Sequence, residues 1–268
     1  MKYTKTTFVI RQRFKRINSS YRSLICAFDA EDIHIFRVQV KKLKAFLKFS
    51  GVQNKKLIKK LLRFYGIVGI LRNGHLQQQR IREIYQARKQ ALPEEYLYLL
   101  NKEGSEQIML AQRLMKGRRG FKKEERRAIA ALSLRRTGAR THAEKFVQAR
   151  MTEIRDLLAP SFPTDDDLHS IRKSLKTLLY TVPFMPIPFH PAESLKSLTD
   201  LLGELQDLRI GINYLQPVYL DRVSDEKERA DLCLLREEWQ EEKYRKQQQV
   251  YAWLKQRWAM TAVVTGEQ

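Results

Sequence analysis

An all-α fold is what this sequence predicts, on three observations. Apolar residues recur at helical spacing along most of the 268-residue chain, Gly and Pro number only 11 and 8, and capping residues stand where the periodic segments begin. An apolar fraction of 43% is enough to bury a core. A first helix is expected over about Phe8 to Phe28. Asp29 can cap a second, which reaches about Ser50 and stops at Gly51. A third begins near Val52 and runs into the Gln-rich stretch Gln77 to Gln79. Pro93 suits the first turn of a fourth, ending near Gly117, and Lys116-Gly-Arg-Arg-Gly-Phe-Lys-Lys follows as a basic loop. The second half repeats the plan. A helix from about Ala139 to Leu158 ends before Pro160, and the next, capped by Thr164 or Asp165, ends before Pro183. Pro183 to Pro191 carries four prolines and reads as a loop. Two long helices fill Ala192 to about Met260, broken near Pro217, with a frayed tail. Two segments are expected, 1–135 and 136–268.

Charge narrows the partners. Lys plus Arg is 51 and Asp plus Glu is 30, a net +21 that favours nucleic acid, an anionic membrane or another polyanion. Residues 1–135 hold 32 Lys/Arg against 10 Asp/Glu, and residues 136–268 hold 19 against 20, so attraction for anions is concentrated in the first half. With only Cys26 and Cys233 and no C-x-x-C, neither a cysteine zinc site nor a disulfide scaffold is expected. The basic stretch Met1 to Arg16 has no apolar secretory core, and no apolar run is long enough to span a membrane. A cytoplasmic location follows by default.

The two halves are related in sequence. Asp32-Ile-His-Ile-Phe-Arg-Val-Gln-Val-Lys-Lys-Leu-Lys is echoed by Asp167-Leu-His-Ser-Ile-Arg-Lys-Ser-Leu-Lys-Thr-Leu-Leu, so that His34, Arg37 and Lys41 align with His169, Arg172 and Lys176 at an offset of 135. At about 100° per residue, Phe36, Val40, Leu43 and Leu47 form a core stripe, matched by Ile171, Leu175, Leu178 and Val182. On the other side His34, Arg37, Lys41, Lys44 and Lys48 form a cationic row, and His169, Arg172 and Lys176 form a second, flanked by Lys173. Like charges at this spacing weaken a helix by roughly a few tenths of a kcal/mol per pair. No Asp or Glu occurs between His34 and Lys48, so a ligand is the favoured source of counter-charge, over a solvated face or internal ion pairs. A second echo follows each row: Gly69-Ile-Leu-Arg-Asn73 aligns with Gly203-Glu-Leu-Gln-Asp207 at an offset of 134. A mid-helix glycine costs about 0.5–1 kcal/mol relative to alanine, so two at matching positions suggest close helix–helix approach.

This duplicated His-x-x-Arg-x-x-x-Lys-Lys-Leu-Lys-like pattern after an acidic cap, each copy followed by a glycine element, resembles the CHAD domain (conserved histidine α-helical domain) over nearly the whole chain. The resemblance implies two four-helix bundles related by pseudo-twofold symmetry with a basic groove between them. It also implies binding of inorganic polyphosphate and association with polyphosphate granules. Matched by position, His34, Arg37, Lys41, Lys42 and Lys44 carry the first motif and His169, Arg172, Lys173 and Lys176 the second. Lys48, Lys59, Arg63 and Arg72 are expected to extend the first, while Lys55, Lys56 and Lys60, like the basic residues around 118–127, are as well explained by a solvated surface. The chain departs from the pattern at Thr177 and Leu179, where basic residues are usual, at Asn73, where aspartate is usual, and at Gln206, which stands opposite Arg72. The second half is therefore expected to grip more weakly. Without a Glu-x-Glu-x-Lys strand, a stand-alone copy is expected rather than one following a triphosphate-tunnel domain.

Two questions stay open at this level. His34 and His169 either donate hydrogen bonds to phosphate or orient the neighbouring acids Asp32 and Asp167, and their protonation is set by opposing effects of helix dipole and carboxylate. Glu193, Asp200, Glu204 and Asp207 share one helical face; ion pairing with the second cationic row is favoured over a divalent-metal site. No catalytic constellation is found, so a non-enzymatic polyphosphate binder without cofactor is the expectation. The alternatives are a nucleic-acid binder, for which the rows lack interleaved aromatics, and a Mg²⁺-dependent polyphosphate phosphatase. Nucleic acid is expected to be a weaker competitor for the rows.

Overall fold

The structure is a computed structural model that describes residues 3–52, 54–133, 140–158, 163–185 and 193–264, with backbone alone at 3–5, 133, 193–194 and 255–264. The described residues form ten α-helices, two short 3₁₀ turns and no strand. The chain divides into two compact units, Met1–Gln148 with Tyr180–Phe189, and Ala149–Leu179 with His190–Gln268.

In the first unit, α1 (Tyr3–Ala27) buries Ile10, Phe14, Ile17, Tyr21 and Leu24 along one face. Phe28, at φ 53°, ends it. The Asp29 carboxylate accepts from the N–H groups of Glu31 and Asp32, each at 2.9 Å, and so starts α2 (Ala30–Phe49). Gly51, at φ 75°, follows the end of α2 in a conformation open to glycine without steric cost. The third helix differs from expectation at both ends. A 3₁₀ turn over Lys55–Ile58 precedes α3 (Lys59–Ala87), which runs well past Gln79. The glutamines do not end it because Gln77 is buried and donates through Nε2 to the Tyr96 hydroxyl at 3.1 Å. That hydroxyl belongs to α4 (Glu94–Met115), which starts after Pro93 and stops before Gly117 as expected. The basic loop, however, closes at Phe121, where α5 (Lys122–Ser133) begins, a helix the sequence reading missed.

Helices α1, α2, α3 and α5 close a four-sided bundle through α1–α2, α2–α3, α3–α5 and α5–α1 contacts, with α4 against α3. Tyr21, Phe36, Phe64 and Phe121 meet at its centre. Tyr21–Phe64, Tyr21–Phe121 and Phe36–Phe64 are edge-to-face at 5.4, 5.3 and 5.3 Å.

Helix α6 (Arg140–Leu158) leads into the second unit. Before α7 (Asp165–Thr181), Thr164 donates from its backbone N–H and hydroxyl to the Asp167 carboxylate at 2.8 and 2.7 Å. It accepts the Asp167 N–H at 3.2 Å, a reciprocal cap. Helices α8 (Glu193–Tyr214), α9 (Pro217–Leu220) and α10 (Glu226–Val264) follow, broken at Pro217 as expected, though α10 continues past Met260. Its Lys243 ammonium and Gln247 amide both donate to the Asp165 carboxylate, tying α10 to the start of α7. Ile154, Leu168, Ile171, Leu175, Leu198, Leu202, Leu205, Val250 and Leu254 make the core of this unit. Both expected core stripes are buried except at Val182, which begins a 3₁₀ turn (Val182–Phe184) and is half-buried. The rest of the proline loop, 186–192, lies outside the described residues, as do Ala139, Pro160 and the last four residues of the tail.

Candidate functional site

Arg37 leads the first row, and its position follows from the helix beside it. Its Nη1 donates to the Tyr65 carbonyl at 3.1 Å, and its guanidinium lies over the Tyr65 ring at 4.6 Å from the centroid. The Lys44 ammonium lies over the same ring at 5.2 Å. One turn further along α3, a Cβ on Gly69 would stand 2.2 Å from Arg37 Nη1. The glycine read as a point of helix–helix approach is thus a seat for a guanidinium. Burial, and then the neighbouring Arg72, lower the Arg37 pKa, opposed by Tyr65. An arginine nevertheless stays charged, so a cation is held partly out of water beside another cation.

Of the other residues expected in this row, His34 is exposed on the first turns of α2, and Lys41, Lys42 and Lys48 are half-buried further along it. Arg72 is half-buried and donates from Nη1 to the Ala30 carbonyl at 3.4 Å. Lys59 and Arg63 are exposed on α3, Arg63 about a third of a turn around the helix from Gly69. The sequence did not single out Tyr65 or His75. His75 is half-buried, with its pKa lowered by burial and then by Arg72, against a smaller opposing effect of Asp29.

The second unit repeats the device more loosely. Arg172 Nε and Nη2 would each lie 3.8 Å from a Cβ on Gly203, an ordinary contact. His169 pairs through Nδ1 with the Gln206 side-chain oxygen. Its pKa is lowered by burial, with Lys173, Arg172 and Arg209 adding to the effect and Gln206 opposing it. Asp167 does not decide this protonation: its carboxylate is turned to Thr164, whose hydrogen bonds hold it below the usual range. Gln206 stands where the first copy has Arg72, but Arg209, one turn on, takes over a task of Arg72. It donates from Nη1 to the Asp165 carbonyl at 3.3 Å and from Nη2 to the Asp166 carboxylate at 2.8 Å. Asp165 matches Ala30 at the offset of 135, so the same carbonyl is met by a guanidinium in both copies.

Lys176 lies 3.9 Å from the Asp200 carboxylate. Burial and Arg172 lower its pKa, and Asp200 opposes them. Lys173 is exposed. On the acidic face of α8, Asp200 therefore meets the second row, whereas Glu204 pairs with Lys246 of α10 at 2.7 Å; the Glu193 side chain lies outside the described residues. Among the described residues no three His, Cys, Asp or Glu form a metal-ligating cluster, and no helix is long and apolar enough to cross a membrane.

Comparison with known proteins bears on the fold and its lineage. None of the curated proteins compared matches the chain. A crystal structure of the CHAD domain from the plant Ricinus communis is similar to it with a TM-score of 0.75 at 14% sequence identity, covering 94% of this chain and 91% of that one. The family model described as the CHAD domain matches residues 9–216. With most of its length matched and its duplicated histidine–arginine–lysine rows each set against a glycine, this chain belongs to the CHAD domain family.

Proposed function

We propose that this protein binds inorganic polyphosphate, without catalysis, on the cationic rows of α2 and α7. One observation carries the reading: in both copies an arginine that leads a row of cations is set against a glycine of the neighbouring helix. The Arg37 guanidinium, held also by the carbonyl and ring of Tyr65, has lost much of its side-chain freedom before the ligand arrives, so more of its contact energy appears as affinity; Arg172 is seated more loosely. Arginine offers a planar fork to two phosphate oxygens, and the lysines serve as adaptable point charges. Successive row residues stand about 5–6 Å apart, within reach of nearby phosphates on a flexible chain. Arg37 and Lys176 are each depressed by burial and a like-charged neighbour, two penalties that a phosphate relieves.

The first row is the stronger. On the second, Arg209, which stands in for Arg72, is already paired with Asp166, and Asp200 competes for Lys176. A protein acting this way would collect on polyphosphate granules. The test is a titration with long-chain polyphosphate, comparing wild type with Arg37→Gln and with Arg172→Gln. Both substitutions should weaken binding, Arg37→Gln by roughly tenfold or more, the scale of a charge-assisted hydrogen bond. Unchanged affinity, or phosphate released from the polymer with Mg²⁺, would refute the proposal.

A further inference from the structure

The side of the first bundle opposite the α2–α3 row is also cationic, and its chemistry differs. Helix α1 has no acidic residue, and Phe8, Arg11, Lys15 and Arg22 follow one another at helical spacing, all exposed. Two contacts turn this flank toward α5. Asn18 Oδ1 accepts from the Phe121 N–H at 2.8 Å, and Arg11 lies close enough to Glu125 to act on its ionisation. On α5, Lys122 and Arg126 stand one turn apart beside this flank, with Lys123 and Arg127 next to them, all exposed. The acids of α5 are withdrawn from the surface. Glu124 is only 2% exposed and pairs with Arg118 at 2.9 Å, and Glu125 is half-buried between Arg11 and Lys122. The four-sided packing puts the α1–α5 side across the bundle from Arg37 and Gly69.

Phe8 separates this surface from a second polyphosphate site. It is 60% exposed within a row of cations. Polyphosphate has no apolar face to cover an aromatic ring, whereas an unpaired base has one, and bases stacked beside a cationic track are how single strands are held without sequence reading. A duplex keeps its base faces occupied and offers Phe8 nothing. We propose that the α1–α5 side binds single-stranded nucleic acid, with phosphates on Arg11, Lys15, Arg22, Lys122 and Arg126 and a base stacked on Phe8. The row on α2 then remains available, and one molecule holds a nucleic-acid strand and a second polyanion on opposite sides of one bundle.

The test uses the full chain and a fluorescein-labelled single-stranded RNA of about 20 nucleotides, a few times the site size of small single-strand binders. Phe8→Ala should weaken RNA binding about tenfold, the scale of one lost base–aromatic stack, and leave polyphosphate binding unchanged. Lys15→Glu/Arg22→Glu should weaken RNA binding further and reduce its salt dependence. Arg37→Gln/Arg172→Gln should leave RNA binding within about twofold, as for remote sites that act independently. These side chains on α1 are exposed, so the far-UV circular dichroism should not change. RNA binding lost with the Arg37/Arg172 pair, RNA binding untouched by Phe8→Ala, or a duplex of equal length bound as tightly would each overturn the proposal. None of these results depends on whether polyphosphate occupies the rows.

Discussion

At the residue scale, the two glycines make unequal predictions. Alanine at Gly69 must displace the Arg37 guanidinium from its bond to Tyr65, whereas alanine at Gly203 meets Arg172 at an ordinary distance. Gly203→Ala should therefore raise stability by up to about 1 kcal/mol and leave polyphosphate affinity alone. Gly69→Ala should gain less stability and lose affinity several-fold, since a hydrogen bond holding the guanidinium contributes about 1 kcal/mol. Chemical denaturation and titration of both variants check the pair. His169 makes a pH prediction. Burial and three cations hold its pKa below the ordinary value, and an arriving phosphate opposes that shift. Binding should take up a proton, and affinity should rise from about pH 8 to about pH 6, where histidine titrates. His169→Gln should flatten the slope; an unaltered slope would place the imidazole away from the ligand. Stability runs the other way. His75 and His169 are both lowered in the folded chain, so the unfolded chain binds more protons near and below the ordinary histidine value. Their contribution is full above that value and is lost as pH falls below it and through their lowered folded values, which a series of melting temperatures from neutral to acidic pH will show.

At the scale of elements, legibility follows locality. Helices α2 and α7 could be read because cap, core stripe and cationic row all lie within one segment, and Asp29 and Thr164 do what their positions suggest. Thr164→Ala should lower stability by about 1 kcal/mol, the usual cost of a lost N-cap, as measured by denaturant unfolding. Helix α5 could not be read. Its start, Lys-Lys-Glu-Glu-Arg-Arg, looks like solvated loop, and only tertiary structure reveals that Glu124 goes inward to Arg118. The same holds for α3, whose Gln77 is a helix-surface polar residue until Tyr96 arrives from α4. At the site, spacing alone gave the rows and the glycines. What fills the glycine's missing Cβ, and the part played by Tyr65, depend on how α2 and α3 meet. The shift of a guanidinium from Arg72 to Arg209 was hidden because the aligned position holds Gln206 and the substitute sits a turn away.

At the scale of the whole molecule, the net charge of +21 is carried by residues 1–135. Long-range attraction of polyanions is therefore concentrated in the first half, and on the proposed reading the second is expected to contribute chiefly through Arg172 and its neighbours. Binding that releases counterions weakens steeply with salt, and each removed contact lowers the slope of log affinity against log salt by roughly 0.7–0.9, as for nucleic acids. The most direct test is calorimetric titration with polyphosphate of one defined length at two salt concentrations, for wild type, Arg37→Gln, Arg172→Gln and the double variant. The account predicts salt-steep binding by wild type, a larger loss for Arg37→Gln than for Arg172→Gln, and little residual binding by a folded double variant. A double variant that binds as wild type does at both salts would contradict it.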